Sequence, residues 1–126
     1  MARKHRTQMV SQELTALTMH VRTLPVRTPN AGHFVDRKAE RVFTITQVHD
    51  AVRSGDVIEI HNDAAPDVRV LMRDDQGTCV VVSLVTRDIV TVYYNAPHDQ
   101  HSTLNWSLYR WSAPVLPLLR NLRRGI

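Results

Sequence analysis

One cysteine, four glycines and no long apolar run set the first limits on this chain of 126 residues. A lone Cys79 can close no internal disulfide, which excludes a stapled secreted miniprotein. It lies in the run CVVVSLV and reads as a core thiol of a reducing compartment. No segment approaches the roughly 18 apolar residues that a membrane-spanning helix needs, so no membrane partner is expected. The basic start MARKHRTQ is followed by SQELTALT, where a signal peptide would turn apolar, and the expected address is the cytoplasm. A phosphate-binding glycine loop, a zinc spacing and a nucleophile elbow are also missing, and no cofactor or metal is expected.

What is present is an ordinary globular composition, 43% hydrophobic and 22% charged, enough for one domain with its own core. The net charge of +4 is unevenly spread: residues 1–32 carry +4, residues 33–97 carry −3 and residues 98–126 carry +3. Two basic ends around an acidic middle suit attraction to phosphate or to an acidic partner, and equally suit solubilising tails.

The pattern divides the chain into a basic N-terminal tail and helix (1–30), a core (31–96) and a basic C-terminal arm (97–126). Residues 1–9 read as disordered. Val10, Leu14, Leu17, Val21 and Leu24 then keep a 4-3-4-3 spacing that predicts a helix over 10–24, ended by Pro25. Its narrow seam either docks on the domain or pairs with a second copy as a homodimer. In TITQ, Thr44 and Gln47 form a capping box and Phe43 and Val48 a hydrophobic staple, so a helix begins at Ile45. It presents Ile45, Val48, Ala51 and Val52 to the core and ends at Ser54-Gly55, with glycine expected in a left-handed cap.

From Asp56 the period changes to that of strands: 57–61, 68–73, 79–87 and 89–95. Turns at Asp74-Asp75-Gln76-Gly77 and at Arg87-Asp88 make the last three an antiparallel meander, with CVVVSLV central. Trp106 and Trp111 are the expected anchors of the C-terminal arm, which is either extended or a short helix. The fold class is therefore α+β, with N-terminal helices packed on a four-stranded, mainly antiparallel twisted sheet. His98 and His101 are too few to hold a metal, and His61-Asn62-Asp63 reads as the end of a strand and a turn.

The segment HFVDRKAER places His33, Arg37 and Arg41 four residues apart. At 100° per residue Arg37 falls about 40° and Arg41 about 80° from His33, while Val35, Ala39 and Val42 gather near 180–240°. The cations share a face turned away from the core stripe. Two guanidinium forks there could hold a phosphate beside a titratable imidazole, or the face could simply be solvated.

This order of elements, with its H-x-x-x-R-x-x-x-R helix, a helix ending SGD, the strand VIEI and a meander ending IVTVYYN, resembles a family of small bacterial domains. These are similar to BrnT and RelE type toxins, in the fold group of barnase, EndoU and colicin-type ribonucleases. The likeness covers about residues 31–95. It implies a helical layer on one face of the sheet, RNA at the other face or edge, and an antitoxin as a partner. It also implies metal-free ribonuclease chemistry, with His33 as base and Arg37 and Arg41 stabilising the phosphate. Tyr93, Tyr94 and His98 are candidates for the acid by position alone.

Two functions follow as expectations. The first is a small toxin-fold binding protein, bacterial or phage-encoded, that binds RNA or an acidic protein and inhibits it, using Arg37, Arg41, Tyr94, His98, Arg110, Arg120, Arg123 and Arg124. Deleting residues 102–126 should then abolish binding. The alternative is a metal-independent ribonuclease toxin cleaving RNA by 2′-hydroxyl attack through His33, Arg37, Arg41 and Tyr93.

Overall fold

The computed structural model describes residues 2–28, 43–63, 66–95, 106–112 and 114–124. Five antiparallel strands form one sheet in the order β1 to β5: β1 (Arg3–His5), β2 (Asp56–His61), β3 (Arg69–Arg73), β4 (Thr78–Ser83) and β5 (Ile89–Tyr94). Among the described residues three α-helices accompany it: α1 (Ser11–Arg22), α2 (Ile45–Ser54) and α3 (Val115–Arg124). The α+β class holds. The strand count is corrected from four to five, because the N-terminal tail expected to be disordered supplies the edge strand β1. Its register is Arg3 opposite His61, Lys4 opposite Ile60 and His5 opposite Glu59. Reciprocal bonds between Ala2 and Asn62, Ala2 N–H to Asn62 Oδ1 at 2.7 Å and Asn62 N–H to Ala2 O at 3.1 Å, extend the pairing.

Strand alternation sorts the sheet into two faces. Toward the helices point Val57, Ile60, Val70, Met72, Val80, Val82, Ile89 and Val92, all essentially buried in one core with Leu17 and Val21 of α1 and Val115 and Leu119 of α3. Both basic ends thus contribute to the same core as the middle of the chain. The seam of α1 is spent on this internal packing, although Val10, expected within it, is 63% exposed because the helix starts one residue later. β3 is the central strand. β4, expected at the centre, lies one place from the edge.

The capping box that opens α2 is present, Thr44 N–H donating to Gln47 Oε1 at 2.8 Å and Gln47 N–H to Thr44 Oγ1 at 3.0 Å. Phe43 and Val48 are both buried as the staple requires, whereas Ile45 is half exposed instead of facing the core. Gly55 ends the helix with φ −73° and ψ 174°, so the left-handed cap is corrected to extended backbone. Glycine is needed there for another reason: a Cβ would collide with the Ala51 carbonyl oxygen and come within 3.0 Å of that of Arg73. Arg22 fastens this corner by donating to Gly55 O at 2.8 Å.

The turn at Asp74–Gly77 is built as expected, Asp74 Oδ1 accepting from Gln76 N–H and Thr78 N–H at 2.9 Å each, with Gly77 at φ 88°. The second turn is longer than expected. β4 ends at Ser83, whose hydroxyl accepts from Val85 N–H and Thr86 N–H and rolls residues 84–86 into a loop. Arg87 then takes φ 67°, a left-handed conformation costing a non-glycine residue about 1 kcal/mol.

Candidate functional site

The second face of the sheet has two zones. Ile58, Leu71 and Cys79 form a small buried apolar cluster, with Val81 and Tyr93 packed against it. Toward β1 the face turns polar: the cross-strand row of Arg3, His61, Arg69 and Ser83 runs beside a second row that starts with His5 and Glu59. Glu59 and His61, two residues apart on β2, lie on the same face about 7 Å from each other along the strand.

Ion pairs tie these groups together. Arg3 bonds Asp63 through Nε at 2.8 Å and through its terminal nitrogen at 2.6 Å. Asp67 accepts from Arg69 Nε at 2.8 Å and from the Ser83 hydroxyl at 2.6 Å. His61 Nδ1 accepts from Asp63 N–H at 3.3 Å, which leaves the other ring nitrogen to carry the proton. Burial pushes the His61 imidazole below its ordinary value, Arg3 and Arg69 add to this, and Asp63 and Glu59 oppose it.

The C-terminal segment closes one end of the face. A 3-10 turn at Trp106–Leu108 leads to Tyr109, only 6% exposed, whose hydroxyl donates to the buried Glu59 carboxylate at 2.8 Å. Burial and Glu59 together raise the Tyr109 phenol above its ordinary value. Gln8 donates to the Tyr109 carbonyl at 3.2 Å, and Trp111 N–H to the Arg3 carbonyl at 3.2 Å, so the arm is bound to the N-terminal segment at Tyr109 and Trp111. Trp106 meets His5 edge to face at 5.4 Å between ring centroids and Tyr109 at 5.1 Å. The expectation of Trp106 as a buried anchor is corrected: it is 49% exposed, and Tyr109 fills the anchor position.

Of the residues singled out in the sequence, His33, Arg37, Arg41 and His98 lie outside the described residues. Tyr93 is on the outer face opposite Cys79, and burial, with Cys79 and Glu59 nearby, raises its phenol above the ordinary range. Such a group donates its proton reluctantly near neutrality, which weakens it as a general acid. Tyr94, 46% exposed, points to the opposite face by alternation, so the two tyrosines cannot serve one site. Arg110 and Arg120 are exposed. Arg123 and Arg124 belong to α3, and their side chains lie outside the described set.

The polar row, the aromatic corner and Tyr109 were not singled out in the sequence as a site. The signal available was the alternation in VIEIH and VRVLMR, which puts Glu59 with His61 and Arg69 with Arg73 on common faces. Among the described residues, no cluster of His, Cys, Asp or Glu is arranged to hold a metal ion, and no helix is long and apolar enough to cross a membrane. No family model matches the chain, and no curated protein or solved structure does either.

Proposed function

We propose that this chain is a toxin-fold RNA-binding protein that takes a single strand across the outer face of its sheet and thereby inhibits use of that RNA. The observation that carries the reading is the aromatic corner: a half-exposed Trp106, backed edge-on by the buried His5 ring and at a tilt by Tyr109, beside a row that carries Arg3 and Arg69 in ion pairs with Asp63 and Asp67. Base stacking on such a platform contributes about 1–3 kcal/mol per base and tolerates any sequence. Arg3, Arg69 and His61 lie along the row that a phosphate backbone would follow, and exposed Arg110 adjoins Tyr109. β1 and the arm around Tyr109 converge on this face and bring Arg3 and the segment of Arg110 to it, while Lys4 is paired with Glu13 in the core and Arg120, Arg123 and Arg124 belong to α3.

Fluorescence anisotropy with a labelled oligouridine tests this at two salt concentrations. Binding that weakens with salt and falls about tenfold or more in Trp106→Ala is the expected result. Absence of binding at low salt, or equal binding by Trp106→Ala, would overturn the reading and favour an acidic protein partner. The same samples run on a gel separate binding from catalysis. Intact RNA is expected; RNA cleaved by the wild type but not by His33→Ala would replace the proposal with the ribonuclease.

A further inference from the structure

On the helical side, away from the aromatic corner, a cleft of about 300 Å³ opens between the end of α1, helix α3 and the loop joining β4 to β5. Its apolar walls come from Leu24 and Pro25 after α1, Leu84 and Val85 in the loop, and Leu122 of α3. Two nitrogenous side chains, His20 and Arg87, share the lining, and no carboxylate does among the described residues. At ~30 Å³ of liquid volume per water, the space matches on the order of ten non-hydrogen atoms. That is the lower end of the size range for small-molecule sites.

The loop arginines are used differently. Arg27 is committed, its side chain 3.2 Å from Asp88 and donating to the Thr86 carbonyl at 2.6 Å. Arg87 contributes backbone bonds, its carbonyl accepting from Arg27 N–H at 2.8 Å and its N–H donating to Ser83 O at 3.0 Å, while its exposed guanidinium has no ion pair among the described residues. It is also the one described non-glycine residue with a left-handed backbone, at φ 67°. Asparagine or glycine would adopt that conformation more cheaply. A strained position filled by a long cation at the mouth of an apolar cleft is a feature that packing does not require. The walls are meanwhile held in place by the Ser83 hydroxyl and by backbone bonds from Arg27 to Arg87 and from Ile89 to Arg27, so the cleft is formed before any ligand arrives.

We propose that this cleft binds a small amphiphilic carboxylate, the apolar tail lying between Leu24, Leu84 and Leu122 and the carboxylate meeting Arg87. The full chain, labelled with ¹⁵N, would be titrated with sodium octanoate and followed by amide chemical shifts. Saturable shifts confined to residues around Leu24, Leu84 to Arg87 and Leu122 are expected. 1-Octanol, lacking the charge, and acetate, lacking the tail, should each bind at least tenfold more weakly. Arg87→Asn keeps the left-handed backbone, so it should melt no lower than the wild type while losing about tenfold in octanoate affinity. Shifts scattered over the surface, or equal affinity in Arg87→Asn, would overturn the assignment. So would tighter binding of a peptide with a free C-terminal leucine, which would make the occupant a protein end.

Discussion

Glu13 accepts a 2.7 Å hydrogen bond from the backbone N–H of Val115, a residue 102 positions further along the chain. The same carboxylate lies 3.2 Å from the Lys4 ammonium, both side chains being more than nine-tenths buried, and receives the Val10 N–H at 3.3 Å. One side chain therefore joins β1, the start of α1 and the first turn of α3. Pro117 adds no unpaired donor in that first turn, where N–H groups have no helical partner in any case.

Glu13→Gln should destabilise the protein by about 3 kcal/mol at pH 7, since it leaves the Lys4 charge buried without its counter-ion. Burial by itself would raise the Glu13 carboxyl, but the Val115 and Lys4 bonds outweigh it and hold the group below its ordinary value of 4.5. Its stabilisation is then complete above about pH 4.5 and lost as pH falls through the depressed folded value. Urea melts between pH 7 and pH 3 should show the wild type losing stability faster than the variant at the acid end.

Leu119→Ala should cost about 2–4 kcal/mol, because the side chain is 1% exposed in the shared core. For the same reason, removing residues 102–126 deletes Tyr109, Val115 and Leu119 together and should yield a chain without a cooperative melt. Loss of binding in that truncation would report unfolding, so point variants such as Trp106→Ala are the sounder probe of the arm.

Gly55→Ala should lower stability by about 2 kcal/mol or more, through collision of the new methyl group with backbone that cannot withdraw. Since the native φ is −73°, asparagine should give no relief. A rescue by asparagine in a urea melt would mean that backbone conformation, not space, set the requirement.

For His61 the folded state lowers the imidazole's affinity for protons, so its contribution to stability is present above about pH 6.5 and declines as pH falls below it. Bound phosphate would reverse that preference. RNA affinity should accordingly rise between pH 8 and pH 6 with net proton uptake, and His61→Gln should flatten the profile in anisotropy titrations.

Cys79, 1% exposed, has its thiol pushed up to about 11 by burial. Under native conditions at pH 8 it should label with a thiol reagent far more slowly than free cysteine, and labelling should accelerate across the urea transition.

Local signals were the legible ones. The Thr44 and Gln47 box, the Phe43 and Val48 staple and the Asp74 turn each act within five residues, and all three stand where the sequence put them. Strand β1 escaped because RKH carries no apolar alternation; what makes it a strand is pairing with residues 59–61, more than fifty positions away. The Trp106 and Tyr109 exchange escaped for a related reason. Size favours tryptophan as an anchor, but a buried Glu59 needs a hydroxyl above it, and no local pattern announces that need. Ile45 shows the limit of helical periodicity, since a residue on the right side of the first turn can still be left half exposed.

The clasp at Glu13 also sets an order of events during synthesis. β2 through β5 can pair as successive hairpins while the chain is still growing, each from neighbours close in sequence. β1 must wait for β2, and the Glu13 carboxylate cannot take up its bond from Val115 until that residue has been made. Until then a charged pair and the apolar side of α1 stand open to water, a window in which a chaperone or a binding partner could capture the nascent protein.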